Sequence, residues 1–414
     1  MQAILLLCSF FNKNESRNIK PLTPTEYSRL AVWLHQNQFT PADFLTKEEE
    51  ILSKWHDPKN KITQERLSGL LQRAASMGFA LEKWQQQNVW ILSRASQEYP
   101  KVLKEKLGDT RSPLLYCIGN KELLATPGIG FVGSRDTNKD DESFTQALAQ
   151  QAVEQGFTVV SGGAKGVDQT SMLAALEAGG SAIGILADSL LKSATKAQYR
   201  KALQEDRLLL ITPYYPEASF NTGNAMGRNK YIYSLSTGVI VAKSAEKGGT
   251  WEGATENLKK QWVPLWVRDI DVAGNKKLIE LGGQALSESK VDFNELQSAD
   301  FFASSVSKQA KEDIQPALQM GDFFSEPEDT VVEVKTAPQK QVAAKVDLSM
   351  FLELFYQQLQ QEKDEIHTPK TLAAKHPELT EAIIKQWLNA LDEKGLVKRQ
   401  GKKLAYTLTE QQSV

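Results

Sequence analysis

The sequence predicts an α/β protein whose parallel sheet core lies between an N-terminal helical domain and a C-terminal winged-helix domain. Three observations predict it. Between residues 110 and 285, short apolar runs recur without internal alternation, as in strands buried on both faces, and amphipathic stretches separate them. Before that stretch, apolar residues repeat at helical spacing. Beyond about residue 345, three helical segments precede a hairpin pattern. The organisation expected is an N-terminal helical domain over 1–105, a Rossmann-like core over 106–285, a flexible linker over 286–345 and a winged-helix domain over 346–414.

Each element follows in order. Leu5-Leu6-Leu7-Cys8, prolonged by Phe10-Phe11, reads as an apolar segment packed on the core, since no Lys or Arg precedes it and the run is too short for a signal peptide. Thr23 or Thr25 can cap a helix carrying Leu30, Val32, Trp33 and Leu34, and Thr40-Pro41 opens a second. Thr63 starts a third, with Leu67, Leu70, Leu71 and Ala74 on one stripe and Gly78 as its stop. This region is read chiefly as a helical cap on the next domain, with a contact to DNA or another subunit as the alternative. The strands expected are Leu114–Cys117, Ile129–Val132, Thr158–Val160, Ala182–Leu186, Leu208–Ile211, Val239–Val241 and Pro264–Val267, with helices over Phe144–Gln155 and Gln169–Ala178.

The linker gathers Ser, Gln, Lys and Glu, with Pro316, Pro327 and Pro338. Its two triplets, Asp300-Phe301-Phe302 and Asp322-Phe323-Phe324, either bind a partner or pack back on their own domain. Met350 through Leu359, the segment after Thr368-Pro369, and the segment after Thr380 with Ile383, Ile384, Trp387, Leu388 and Leu391 are the three helices of the last domain. Leu396–Arg399 and Lys403–Tyr406 form its hairpin about Gln400-Gly401. The wing cations Lys398, Arg399, Lys402 and Lys403 are auxiliary phosphate contacts, or the module docks protein instead.

Charge and cysteine usage narrow the function. Lys plus Arg is 49 against 51 for Asp plus Glu, a net charge of −2, so any nucleic-acid surface must be a local patch. Two cysteines, Cys8 and Cys117, fit a reducing cytoplasm. The four histidines cluster neither with each other nor with the cysteines, so no metal site is expected. No run of 18 apolar residues occurs, and no membrane span is expected.

Chemistry concentrates at the strand ends. Gly128-Ile129-Gly130-Phe131-Val132-Gly133 matches a dinucleotide fingerprint, but the strand falls inside the match instead of before it, so no dinucleotide cofactor is expected. Read together, the loops say something else. Gly133-Ser134-Arg135 follows one strand, and Ser161-Gly162-Gly163-Ala164-Lys165-Gly166 runs from another into a helix. Arg228-Asn229-Lys230 lies between strands, and Gly248-Gly249-Thr250 follows the strand at Val239–Val241. Small residues let backbone approach an anion, helix starts direct N–H groups at it, and Arg135, Lys165, Arg228 and Lys230 supply charge. The pattern predicts an anion-binding cleft along one edge of the sheet.

These motifs, in this order, resemble the DNA-processing protein A (DprA/Smf) family: Tyr99-Pro100, Pro113-Leu114-Leu115-Tyr116 with Gly119-Asn120, Val132-Gly133-Ser134-Arg135, Ser161-Gly162 with Ala164-Lys165-Gly166-Val167-Asp168, Arg228-Asn229-Lys230-Tyr231-Ile232, and Gly249-Thr250 with Ala254. The likeness covers roughly residues 98 to 285. It implies a cytoplasmic, non-enzymatic protein that binds single-stranded DNA, is commonly a homodimer, needs no cofactor and helps load a RecA-type recombinase during natural transformation. It also implies phosphate contacts from Ser134, Arg135, Lys165 and Arg228 to Lys230. Ser171-Met172, Lys230 and Lys247 to Glu252 depart from the family's common pattern.

Two other readings share the same sheet or wing. Gly248-Gly249-Thr250 is similar to the loop of nucleoside-monophosphate phosphoribohydrolases, but Gly253 stands where a catalytic carboxylate is needed and Glu252 is one position early, a turn of ~100° on a helix. A nucleotide-binding sensor belongs with that alternative. A ligand-sensing winged-helix transcription factor is the third, although the candidate recognition helix offers Lys385, Gln386 and Asn389 and no Arg for base edges.

Overall fold

The computed structural model describes residues 2–8, 19–287, 290–294, 359, 368–375, 381–393, 396–400 and 405–408. The chain divides into two compact units, one holding residues 1–303 and the other most of the chain beyond.

The first unit opens with α1 (Gln2–Leu7), which buries Ile4, Leu5 and Leu6. In α2 (Pro24–Gln36), the Thr23 hydroxyl accepts the Glu26 N–H and the Glu26 carboxylate accepts the Thr23 N–H, a closed capping box. Thr40-Pro41 opens a 3-10 turn rather than an α-helix, and α3 (Glu48–Lys54) follows it. The helix expected from Thr63 to Gly78 is in fact two, α4 (Gln64–Leu71) and α5 (Ala74–Gln86). Arg73 sets the break, because its buried side chain turns inward to donate to the carbonyls of Leu70 and Leu5. Gly78 therefore lies inside α5 instead of ending a helix.

Residues 90–93, expected within the helical region, form β1 (Trp90–Ser93). After α6 (Lys101–Leu107) comes β2 (Leu114–Gly119), with which β1 pairs antiparallel. The alternation then becomes regular: β3 (Gly128–Val132), α7 (Lys139–Glu154), β4 (Thr158–Ser161), α8 (Val167–Glu177), β5 (Ala182–Ile185), α9 (Leu190–Ala194), α10 (Ala197–Gln204) and β6 (Leu208–Thr212). It ends with α11 (Thr222–Ser234), β7 (Gly238–Val241), α12 (Gly249–Lys260), β8 (Leu265–Arg268), α13 (Ala273–Glu280) and β9 (Gln284–Leu286).

These nine strands make one sheet in the order β1-β2-β6-β5-β4-β3-β7-β8-β9. From β6 to β9 every pairing is parallel, whereas β2 runs antiparallel to β6. The Leu114–Cys117 run thus joins the sheet against the direction expected. Alternate residues fill the two faces. Ile129, Phe131, Val159, Leu210 and Ile240 point into one core, which is closed by α7, α8 and also α1 to α5. Val132, Val160, Ile183, Ile211 and Val241 point into the other, under α6, α11, α12 and α13. The chain winds outward from β3 to β6, then crosses back through α11 to β7 on the other side of β3. That reversal places a crevice at the carboxyl ends of β3 and β7, where ligands of such sheets bind.

In the second unit, α14 (Pro369–Lys375) and α15 (Glu381–Glu393) precede the antiparallel pair β10 (Val397–Gln400) and β11 (Ala405–Leu408). Ile384, Leu388 and Leu391 are buried, as are Val397 and Tyr406, whose hydroxyl donates to Asn389 Oδ1 at 2.6 Å. The helix expected at 350–359, apart from Leu359, and both Asp-Phe-Phe triplets lie outside the described residues. No helix among the described residues is long and apolar enough to cross a membrane.

Candidate nucleic-acid interface

The crevice is built by the loops that leave β3, β4, β5, β6 and β7. After β3, Ser134 donates its N–H to the Lys243 carbonyl at 2.9 Å and its carbonyl accepts the Val167 N–H at 3.2 Å, so the first loop is tied to the two others. A cleft of about 430 Å³ opens above them, floored by Gly133 to Asp136 and walled by α11 and the start of α12. A second cavity of about 320 Å³ adjoins it over Gly162 to Lys165, and Arg135, Ala164, Phe220 and Arg228 line both. Through these shared residues the two form one groove.

Its charge is arranged in two layers. Arg135 and Lys247 are exposed at the first cavity, and Lys165 and Lys196 are exposed at the second. None of the four pairs with a carboxylate among the described residues. Asp136 and Asp188 also line the groove, so cations outnumber carboxylates on its surface. Beneath them lies a buried ion pair. Arg228, 4% exposed, donates from Nη1 to the Ile185 carbonyl at 2.8 Å and from Nη2 to Asp168 Oδ2 at 3.3 Å. Burial raises the Asp168 carboxyl above its usual range, against the opposing pull of Arg228 and the Ala164 N–H.

This pair corrects part of the expected site. At the start of α8 the Val167 N–H already donates to the Ser134 carbonyl at 3.2 Å and the Gln169 N–H to the Ala164 carbonyl at 2.9 Å, while the Asp168 carboxylate accepts the Ala164 N–H ahead of the helix, so this helix start is not an empty anion cradle. Arg228 lines both cavities but is buried and paired with Asp168, so little of its guanidinium is exposed to the groove. Lys230 is outside the groove: two residues along α11 turn it to another face, where Nζ donates to the Thr110 carbonyl at 2.6 Å. Ser161 is buried, and its hydroxyl donates to the Phe131 carbonyl.

The remaining expected residues do gather. Gly133, Ser134, Arg135, Asn229, Gly249 and Thr250 line the first cavity; Gly162, Gly163 and Lys165 line the second. Asn229 Nδ2 donates to the Gly249 carbonyl at 2.9 Å, joining α11 to α12, and Gly248 stands exposed as the cap of α12. Two glycines are steric necessities. A Cβ at Gly162 would lie 1.4 Å from Arg228 Nη1, and one at Gly166 would lie 2.3 Å from the Ser134 carbonyl oxygen. In the second unit, Lys398 and Arg399 are exposed on β10, while Lys402 and Lys403 lie outside the described residues.

Sequence reasoning passed over Lys196, Lys247, Phe220 and Met226. Phe220 is 51% exposed and Met226 43%, both facing the groove, and the Arg135 guanidinium lies 4.9 Å from the Phe220 ring centre. Their one legible signal was an aromatic residue in the long loop between β6 and α11.

With this geometry in hand, comparisons with known proteins are specific. Residues 90–297, half of the chain, match the family described as DNA recombination-mediator protein A. The protein Smf of Synechocystis is 29% identical over 176 residues, 41% of this chain and 43% of that protein, so the match spans less than half of that relative. The DNA processing protein DprA of Bacillus subtilis is 28% identical over 222 residues, 52% of this chain and 74% of that one. In structure, the DNA processing protein A of Streptococcus pneumoniae superposes with a TM-score of 0.50 at 21% identity, over 65% of this chain and 91% of that one, which is a likeness of fold. The chain belongs to the DNA recombination-mediator protein A family.

Proposed function

We propose that the protein is a DprA-type recombination mediator that binds single-stranded DNA along the groove. One observation carries the reading: two adjoining cavities share Arg135 and Phe220, with exposed cations along both. Four exposed cations spread over two cavities suit a chain of phosphates better than one nucleotide. Phosphates meet Arg135, Lys165, Lys196 and Lys247, and the N-terminus of α12 adds N–H groups at Gly249 and Thr250. Phe220 and Met226 offer apolar surface to unpaired bases, which duplex DNA keeps stacked inside. Transfer of the strand to a RecA-type recombinase, action as a homodimer in the cytoplasm, a role in natural transformation and an auxiliary wing at Lys398, Arg399, Lys402 and Lys403 belong to the same proposal, supported by the family and by the relatives' names.

Fluorescence anisotropy with labelled oligonucleotides at several salt concentrations tests it. Arg135→Ala and Lys165→Ala are expected to weaken single-strand binding several-fold and to lower the salt slope by ~0.7 per lost phosphate contact. Their stability should stay within about 0.5 kcal/mol of the parent, since both side chains are exposed. Unchanged affinity in both variants at two salt concentrations would falsify the groove assignment.

The hydrolase reading meets a specific obstacle. Gly253 is buried, and a Cβ there would lie 3.0 Å from the Tyr233 ring and 3.3 Å from Asn229 Nδ2, while Glu252 is exposed and lines neither cavity. We therefore read the groove as a binding site without catalysis. Incubation with AMP and other nucleoside monophosphates is expected to release no free base above buffer. Turnover abolished by Glu252→Gln would reinstate the hydrolase.

A further inference from the structure

Phe220 has a second side. Behind the loop from Pro213 to Asn221, a separate pocket of about 420 Å³ lies between that loop, β2 and the end of α1 at Leu7 and Cys8. Its character is the reverse of the groove's. Among the described residues no Lys, Arg, His, Asp or Glu lines it, and four aromatic rings do: Tyr116, Tyr214, Tyr215 and Phe220. Phe220 is thus a wall common to the cationic groove and to a neutral aromatic pocket.

The polar groups around the pocket are few and specific. Tyr214 is committed, its hydroxyl donating to the Asn224 carbonyl at 3.0 Å, and Asn221 Oδ1 accepts the Asn224 N–H as the cap of α11. The side-chain amide of Asn224 and the hydroxyl of Ser219 make no hydrogen bond to the described residues. An amide and a hydroxyl, each able to donate and accept, are left beside an aromatic surface. An uncharged planar heterocycle with mixed donors and acceptors on its edge matches that lining, and a phosphate does not.

We propose that this pocket is a nucleobase subsite: a strand whose phosphates lie in the groove passes over Phe220 and places one base in the pocket, with its hydrogen-bonding edge toward Ser219 and Asn224. The inference rests on the groove binding single-stranded DNA. It also assigns the N-terminal helices a part in recognition, because Leu7 and Cys8 of the α1 end close the pocket.

The test compares a thymidine oligomer with an abasic oligomer of equal length and charge, using the full chain and its Ser219→Trp and Asn224→Ala variants. Neither residue lines the groove. The parent protein is expected to bind the base-bearing oligomer at least about five-fold more tightly, as one stacked base provides. Either variant should reduce that preference while keeping the parent's affinity and salt slope for the abasic oligomer. If Ser219→Trp fails to fold, Asn224→Ala and the quenching of a 2-aminopurine base on binding to the parent decide. Equal binding of both oligomers by the parent, or a preference undiminished in every folded variant, overturns the subsite and leaves the groove standing. Binding of neither oligomer overturns the groove, and the subsite with it.

Discussion

Replacing Arg228 with methionine is expected to lower the stability of the first unit by about 3–5 kcal/mol, the cost of leaving one member of a buried ion pair uncompensated. The buried Arg228 guanidinium spans the Ile185 carbonyl and Asp168, and Gly162 has no Cβ because that guanidinium occupies the space. Methionine keeps most of the volume and removes the charge. Adding Asp168→Asn, which removes the orphaned carboxylate, should recover most of the loss. Urea titration of parent, single and double variants measures this, and equal losses in single and double would show that packing, not charge, dominates. The pH dependence has a definite sign. Burial already raises the Asp168 carboxyl, and loss of Arg228 raises it further, so the folded state holds a proton at pH values where the unfolded chain does not. Stability from such a group is present at low pH and lost as pH rises through the folded-state pKa. The deficit of Arg228→Met should therefore shrink as pH falls from neutrality toward the ordinary carboxylate range.

A comparable loss is expected at Gly166, where Gly166→Ala should cost about 2–4 kcal/mol through a left-handed backbone and a steric clash. The residue has φ +86°, and its added Cβ would meet the Ser134 carbonyl oxygen at 2.3 Å and Arg135 Cα at 2.8 Å. Both obstacles are backbone, so no rotamer relieves them. The loops carrying Arg135 and Lys165 must separate, breaking the Val167 N–H bond to Ser134. Single-strand affinity should fall further than in Arg135→Ala, because two cations move instead of one being lost. Thermal unfolding and anisotropy together test this. A variant with parental stability and affinity would mean that this contact does not hold the loops together.

The sheet was legible because its strands are apolar on both faces, a pattern that depends on burial alone. Strand direction was not, since the run Leu114–Cys117 reads the same either way and only pairing with β6 sets it antiparallel. Trp90–Ser93 was missed for a related reason: its partner β2 begins some twenty residues later, beyond any local window. The break between α4 and α5 follows a tertiary contact of Arg73 with Leu5, which periodicity cannot register. At the site, glycines and cations at strand ends identified the loops. They could not separate Arg228 from Lys230, because cations two residues apart on one helix differ in face, and burial decides which one pairs internally. Lys196 joins the groove only through the loops after β5, and Phe220 only through a long connection without repeat.

The apolar layer that α1 to α5 share with one face of the sheet sets how the molecule can come apart. Leu30, Ile51 and Leu67 close the same core that Ile129 and Phe131 enter from β3, the strand that ends at the Ser134 loop. Helices α1 to α5 and the strands that carry the groove are therefore expected to open together, and native-state hydrogen exchange that finds equal protection in α2, α4 and β3 checks it. A cut or a destabilising change far from the DNA path is then felt as lost occupancy at the groove, with no contact to the strand altered.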